Sequence, residues 1–235
     1  MMNPAITASR MKLSFKVSLS LLLIFVTFPV MSQVIIDENV NFLALGDSYT
    51  IGESVHHTQR WPSILIDSLR ERKIKCKDAK IIAVTGWRTD NLSDAIAKEN
   101  LSNEYTLVSL LIGVNNFHQG KSVDSYKRDF EQLLKKAIEL ADGNNAHVFV
   151  LSIPDYGYTP FGQANVETIS KGIDVYNEAN RIMTERLGVK YINITDISRR
   201  GLQEPDLVAS DGLHPSGKMY ALWVERILNE FTFAK

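Results

Sequence analysis

The sequence predicts an α/β fold: a parallel sheet with helices on both of its faces. Three observations carry that expectation. Short apolar runs alternate with longer amphipathic ones from Val40 onward, the order that βαβ units produce. Thr106 to Ile112 is a nearly continuous apolar run, as expected of a strand buried on both faces. Between Val123 and Leu140, the residues Tyr126, Phe130, Leu133, Leu134 and Ala137 recur at i, i+4, i+7, i+8 and i+11, the period of a helix with one buried side.

The elements follow in order. Val40 to Leu45 reads as the first strand. Trp61 to Lys73 is predicted helical, because Ile64, Leu65 and Leu69 share a face. Lys80 to Val84 is a second, β-branched run, and Asn91 to Lys98 has short helical character with Thr89 or Asp90 as its cap. Thr106 to Ile112 is the third strand. The long helix from Val123 to Leu140 ends at Asp142-Gly143-Asn144. His147 to Ile153 is the fourth strand, Val166 to Leu187 a helix closed by Gly188, and Val189 to Ile194 the fifth strand. Ser216 to Phe231 closes the chain as a helix, with Tyr220, Trp223, Val224, Ile227 and Leu228 on one side. No repeat, low-complexity tract or linker-like composition divides residues 33–235, which read as one domain.

Composition narrows the function classes. The chain has 235 residues, 45% hydrophobic and 23% charged, as in an ordinary globular domain with a sizeable core. A net charge of −1 with no basic stripe gives no sign of a nucleic-acid partner. Residues 1–32 read as a secretory signal peptide. Arg10, Lys12 and Lys16 precede an apolar stretch from Val17 to Val30, and Val30 and Ser32 stand at −3 and −1 before Gln33. The other reading is an uncleaved membrane anchor, but the stretch is shorter than the ~20 residues a span needs and holds Pro29. Met11 is an alternative start. Cleavage would leave 23 basic and 27 acidic side chains, a net charge of −4. Cys76 is the only cysteine, so no intrachain disulfide is possible. An exported protein, periplasmic or secreted, is expected.

In open parallel sheets ligands bind beyond the carboxyl ends of the strands, and the chemically useful residues fall there. Gly46-Asp47-Ser48 follows the first strand, Gly86 the second, and Gly113-Val114-Asn115-Asn116 the third. Far downstream comes Asp211-Gly212-Leu213-His214. A serine becomes a nucleophile when an imidazole takes its proton and a carboxylate holds the other ring nitrogen. Asp211 and His214 are three residues apart, so a tight turn at Gly212 can bring the carboxylate onto Nδ1. Acyl transfer also needs donors for the oxyanion. The candidates are the Ser48 N–H, the Gly86 N–H and the Asn115 side-chain amide. Each motif taken alone admits a structural reading: Ser48 or Asp211 as a helix cap, Gly86 and Gly113 as turn glycines, Asn115 as a turn former.

Taken together and in order, Gly46-Asp47-Ser48, Gly86, Gly113-Val114-Asn115-Asn116 and Asp211-Gly212-Leu213-His214 resemble the four blocks of the SGNH (GDSL-type) hydrolase superfamily, over residues 46–214. The resemblance implies a flavodoxin-like three-layer α/β/α sandwich with a five-stranded parallel sheet. It implies ester hydrolysis without a metal or other cofactor. It assigns the nucleophile to Ser48, the base to His214, the supporting acid to Asp211, and the oxyanion hole to Ser48, Gly86 and Asn115. The third block commonly ends Asn-Asp, whereas Asn116 stands here, so contacts around that position should differ.

Other residues are open to two readings. Asp47 is too close to Ser48 in sequence to orient His214 and is expected to be structural. His56 and His57 lack the neighbours of a metal site and read as exposed loop residues. Trp87 and Arg88 flank the second block and are candidate substrate contacts; Arg88 either meets an anionic substrate or forms a surface ion pair. Ile153 to Phe161 follows the fourth strand, so Tyr156, Tyr158 and Phe161 either line the substrate pocket or pack as a surface loop. The expected partner is a small-molecule, glycan or lipid ester. A binding module on the same fold and an acyltransferase are the competing functions.

Overall fold

Five parallel strands form the centre of the computed structural model, which describes residues 33–234. The predicted signal peptide lies outside the described residues. The described residues open with β1 (Val34–Ile36), β2 (Asn39–Val40) and β3 (Phe42–Gly46), followed at once by α1 (Ser48–Ile51). Then come α2 (Trp61–Glu71), β4 (Lys75–Cys76), β5 (Lys80–Ala83), α3 (Thr89–Lys98), β6 (Leu107–Leu111), α4 (Val114–His118) and α5 (Val123–Leu140). The second half contains β7 (Val148–Leu151), α6 (Val166–Arg186), β8 (Lys190–Ile192), α7 (Thr195–Ser198), α8 (Gly217–Asn229) and β9 (Phe231–Phe233).

The main sheet runs β5-β3-β6-β7-β8, with every pairing parallel. Leu45 stands beside Leu110, Leu110 beside Val150, and Val150 beside Tyr191. Every residue of β3, β6 and β7 is buried, so both faces of the sheet are covered. The chain steps from β3 to β5 in one direction and from β5 through β6, β7 and β8 in the other. With right-handed crossovers, α2 lies on one face and α3, α5 and α6 on the other. Helix contacts agree, since α8 packs on α2, whereas α5 packs on both α3 and α6. The result is the flavodoxin-like three-layer sandwich the sequence implied.

Aromatic side chains fill both layers. Phe42, Trp61 and Phe149 form a mutual cluster with ring centres 5.9–6.3 Å apart, joining β3 and β7 to α2. Tyr126 of α5 lies 5.4 Å from Phe130 and 4.8 Å from Tyr176 of α6. Among the described residues no helix is long and apolar enough to cross a membrane.

Two expectations are corrected. The last helix stops at Asn229, and Phe231 belongs to β9, which pairs in parallel with β1 (Val34 beside Phe231). Three-residue segments are too short to show a period, so this two-stranded sheet left no pattern. Helix α3 starts at Thr89, not after it. The Thr89 N–H is taken by the Asn116 side chain at 3.1 Å, and Arg88 is the cap residue, its N–H donating to Asn91 Oδ1 at 3.2 Å.

The topology reverses between β3 and β6, and the loops leaving these two strands flank the crevice. Gly46 lets α1 sit directly on the sheet end. A Cβ there would lie 2.2 Å from Thr50 Oγ1 and 2.6 Å from the Leu111 carbonyl oxygen. Asp47 caps α1, accepting the Tyr49 N–H at 3.0 Å. Its carboxyl is buried, and Oδ2 has no partner among the described residues. Burial pushes its pKa up to about 7, against the pull of the Tyr49 N–H.

That shift has a thermodynamic sign. An unfolded aspartate titrates at about 3.9. Between about pH 4 and about 7 the folded chain holds a proton that the unfolded chain has released. Stability from this group therefore falls as pH rises through the window and levels off above it. The full cost is on the order of 4 kcal/mol. Asp47→Asn should flatten that decline, read as thermal midpoint against pH from about 4 to 8. Parallel curves for variant and wild type would refute the assignment.

Candidate active site

The predicted residues meet at the carboxyl end of the sheet. Ser48 opens α1 directly after β3; Gly86 lies in the loop from β5 to α3; Asn115 sits in α4, just after β6; His214 precedes α8. Ser48, Gly86, Asn115 and His214 all line one cavity of about 150 Å³. Ser48 is 5% exposed and His214 8%, so the two groups sit at its floor. Tyr156 and Phe161 also belong to its wall.

Asp211 lies behind the imidazole. Its Oδ2 is 2.6 Å from His214 Nδ1. Its Oδ1 accepts the backbone N–H groups of Leu213 at 2.9 Å and His214 at 3.0 Å. The Ser54 hydroxyl donates to Oδ2 at 2.6 Å. Partial burial opposes the charge, but these hydrogen bonds, Ser54's foremost, outweigh it and hold the carboxyl well below the usual range. An ionised acceptor on Nδ1 fixes the neutral ring as the Nδ1–H tautomer and leaves Nε2 as the accepting nitrogen. The ring packs edge-on against Tyr49, with centroids 5.7 Å apart.

Donors gather on the other side of the cavity. The N–H groups of Ser48 and Gly86 have no acceptor among the described residues. Gly86 has φ 84, a left-handed conformation that glycine adopts freely, and a Cβ there would meet nothing within 4 Å. Glycine is needed for its backbone, not for space. Asn115 spends one Nδ2 hydrogen on the Trp87 carbonyl at 3.0 Å and has a second to give.

Three of the candidate substrate contacts, Trp87, Arg88 and Tyr158, do not line this cavity. Arg88 pairs with Asp90 at 2.7 Å and donates to Gln119 at 2.5 Å, so its charge is already occupied. Trp87 is half-buried and packs against the core. Tyr158 is half-buried in the turn after Tyr156, away from the cavity wall. The aromatic loop divides, with Phe161 kept at the mouth by its N–H bond to the Gly212 carbonyl at 3.0 Å. His56 and His57 are exposed, their rings 4.0 Å apart.

The structure adds three residues that sequence reading missed. His118 lines the cavity, with Nδ1 3.3 Å from the Tyr156 hydroxyl. Its position three after Asn115 on α4 was a usable signal, since residues three apart share a helix face. Thr85 lines it as well. Ser54 reaches Asp211 from a loop 157 residues earlier in the chain, and no local pattern marks it.

Known proteins supply the wider frame. Residues 44–222 match the model of the GDSL-like lipase/acylhydrolase family. Solved structures share the fold. A lipolytic protein of the G-D-S-L family from Veillonella parvula is 19% identical, with 81% of this chain and 97% of that one covered at a TM-score of 0.61. A lipase/acylhydrolase from Enterococcus faecalis is 17% identical, with coverage of 81% and 94% and a TM-score of 0.64. A catalytic mutant of an acetylxylan esterase from Geobacillus stearothermophilus is 15% identical, with coverage of 83% and 95% and a TM-score of 0.65. No curated protein matches the chain in sequence. The match over residues 44–222 establishes that the chain belongs to the GDSL-like lipase/acylhydrolase family.

Proposed function

We propose that the chain is an exported serine esterase acting on small carboxylic esters. One observation carries the reading: Ser48, His214, Gly86 and Asn115 line a single cavity, with Asp211 on the far nitrogen of the imidazole. His214 Nε2 takes the Ser48 proton as Oγ attacks the ester carbonyl carbon. The resulting oxyanion accepts hydrogen bonds from the Ser48 N–H, the Gly86 N–H and the free Asn115 amide hydrogen. The alcohol leaves with the proton held by His214. Water, deprotonated by the same ring, then attacks the acyl-enzyme, and the carboxylic acid is released. Asp211 stays ionised throughout and stabilises the imidazolium.

Cavity size supports a short acyl or alcohol group. A site of about 150 Å³ lined by Val114, Leu213, Tyr156 and Phe161 has the volume that accommodates a benzene-sized group, roughly six carbon atoms. A longer chain must pass Phe161, which is 59% exposed at the rim. The export part of the reading rests on the basic and apolar pattern of residues 1–32.

Three measurements test it. Ser48→Ala should abolish covalent labelling by a fluorophosphonate and lower kcat by several orders of magnitude, while Asn115→Ala should lower kcat about 100-fold with little change in KM. Labelling that survives in Ser48→Ala would sink the nucleophile. On p-nitrophenyl esters, kcat/KM should peak at or below roughly six acyl carbons, and Phe161→Ala should move the peak to longer chains; a wild-type preference for long acyl chains contradicts the size argument. Mass spectrometry of the protein recovered outside the cytoplasm should give Gln33 as the first residue. A chain that keeps residues 17–30 is anchored instead.

A further inference from the structure

The turn after α1 has no part in the chemistry above, yet it touches two of its components. Gly52 and Ser54 both have left-handed backbone, with φ 78 and 65. Serine is disfavoured there and glycine is not. Ser54 Oγ donates to Asp211 Oδ2 at 2.6 Å, the oxygen that also takes His214 Nδ1. The neighbouring Glu53 accepts a hydrogen bond from the Thr85 hydroxyl. Thr85 immediately precedes Gly86, and both line the cavity. The Gly86 N–H belongs to the rigid peptide plane that begins at the Thr85 carbonyl. Whatever fixes Thr85 therefore bears directly on the aim of that donor.

We propose that Glu53 and Ser54 are positioning residues that together clamp the site. One turn, covalently continuous with the helix that carries Ser48, holds Asp211 through Ser54 and the Gly86 donor through Thr85. The proposal rests on the serine-esterase reading. It meets a geometric need of that chemistry, because three loops with no sequence proximity must keep reacting groups in register, and small misplacements cost rate steeply. The Asp211 side chain is 29% exposed, so solvent reaches its carboxylate. The Ser54 hydroxyl meets Oδ2 from the protein side.

Backbone strain and hydrogen bonding can be separated at this position. Ser54→Gly keeps the left-handed turn and relieves its strain, which offsets part of the lost hydrogen bond, so the variant should stay folded with a modest change in thermal midpoint. It lacks the hydroxyl, so kcat should fall about tenfold while KM changes little. The acid limb of kcat/KM should move to higher pH, because Asp211 without the Ser54 donor binds the imidazolium more strongly. Glu53→Ala should lower kcat by a similar factor and leave the acid limb in place. Glu53→Gln, whose amide oxygen still accepts from Thr85, should recover most of the loss. Wild-type kcat in either Ser54→Gly or Glu53→Ala overturns the clamp. Fluorophosphonate labelling of the wild-type protein separates the two levels. No labelling removes the esterase reading itself, whereas labelling with an unaltered Ser54→Gly profile removes only the clamp.

Discussion

The contact between Asp211 and His214, 2.6 Å from Oδ2 to Nδ1, is the constraint on which the rest of the site turns. An imidazole with a free Nδ1 has two tautomers and can rotate about its side-chain bonds. Bound to an ionised carboxylate, it has one tautomer and one orientation. The carboxylate in turn is held by two backbone N–H groups of its own turn and by Ser54. The acid is thus oriented by the chain around it before it orients anything else. This order matters because the groups proposed to act together, Ser48 and His214, come from opposite ends of the domain.

Two aspartates near the serine show how environment divides one residue type into two behaviours. Asp211 keeps four hydrogen-bond donors and some solvent, and stays charged across the range where an esterase works. Asp47 is buried next to Ser48 with a single backbone donor and one oxygen unpartnered, and its proton is held to about pH 7. Their contributions to stability have opposite signs. Asp211, with a lowered pKa, loses its contribution below about pH 4, where an unfolded aspartate protonates. Asp47 costs stability above that point. Below about pH 7 the neutral Asp47 carboxyl also avoids a buried negative charge next to the proposed oxyanion site.

Much of this was legible in the sequence because the sheet is buried on both faces. Apolar and β-branched runs and a period of 3.6 revealed β3, β5, β6 and α5, and with them the strand ends where Ser48, Gly86 and Asn115 stand. The Asp-x-x-His pair was visible because a tight turn is local. The pairing of β1 with β9 was not, since it joins segments nearly 200 residues apart that are each too short to carry a period. The sequence left Arg88 open between a ligand and a surface ion pair because it does not display Asp90 and Gln119 closing around the guanidinium in space. Ser54 was invisible for the same reason, its partner being 157 residues away.

Asn116 shows how a departure from the family pattern is absorbed. Its Oδ1 accepts the Thr89 N–H at 3.1 Å and its Nδ2 donates to Thr89 Oγ1 at 2.8 Å. With its lone pairs engaged by that amide, the Thr89 hydroxyl is free to donate to Asp129, 3.3 Å away. An aspartate at 116 would accept the same N–H but could give Thr89 no proton while ionised, so the hydroxyl would have to turn from Asp129 to the new carboxylate. The difference therefore falls on the side of α4 facing Thr89, while the adjacent Asn115 keeps its bond to the Trp87 carbonyl. Together the two asparagines tie α4 to the loop bearing Gly86 at Trp87 and at Thr89. Two of the proposed oxyanion donors, Gly86 and Asn115, are thereby held to one another by side chains that also satisfy the start of α3.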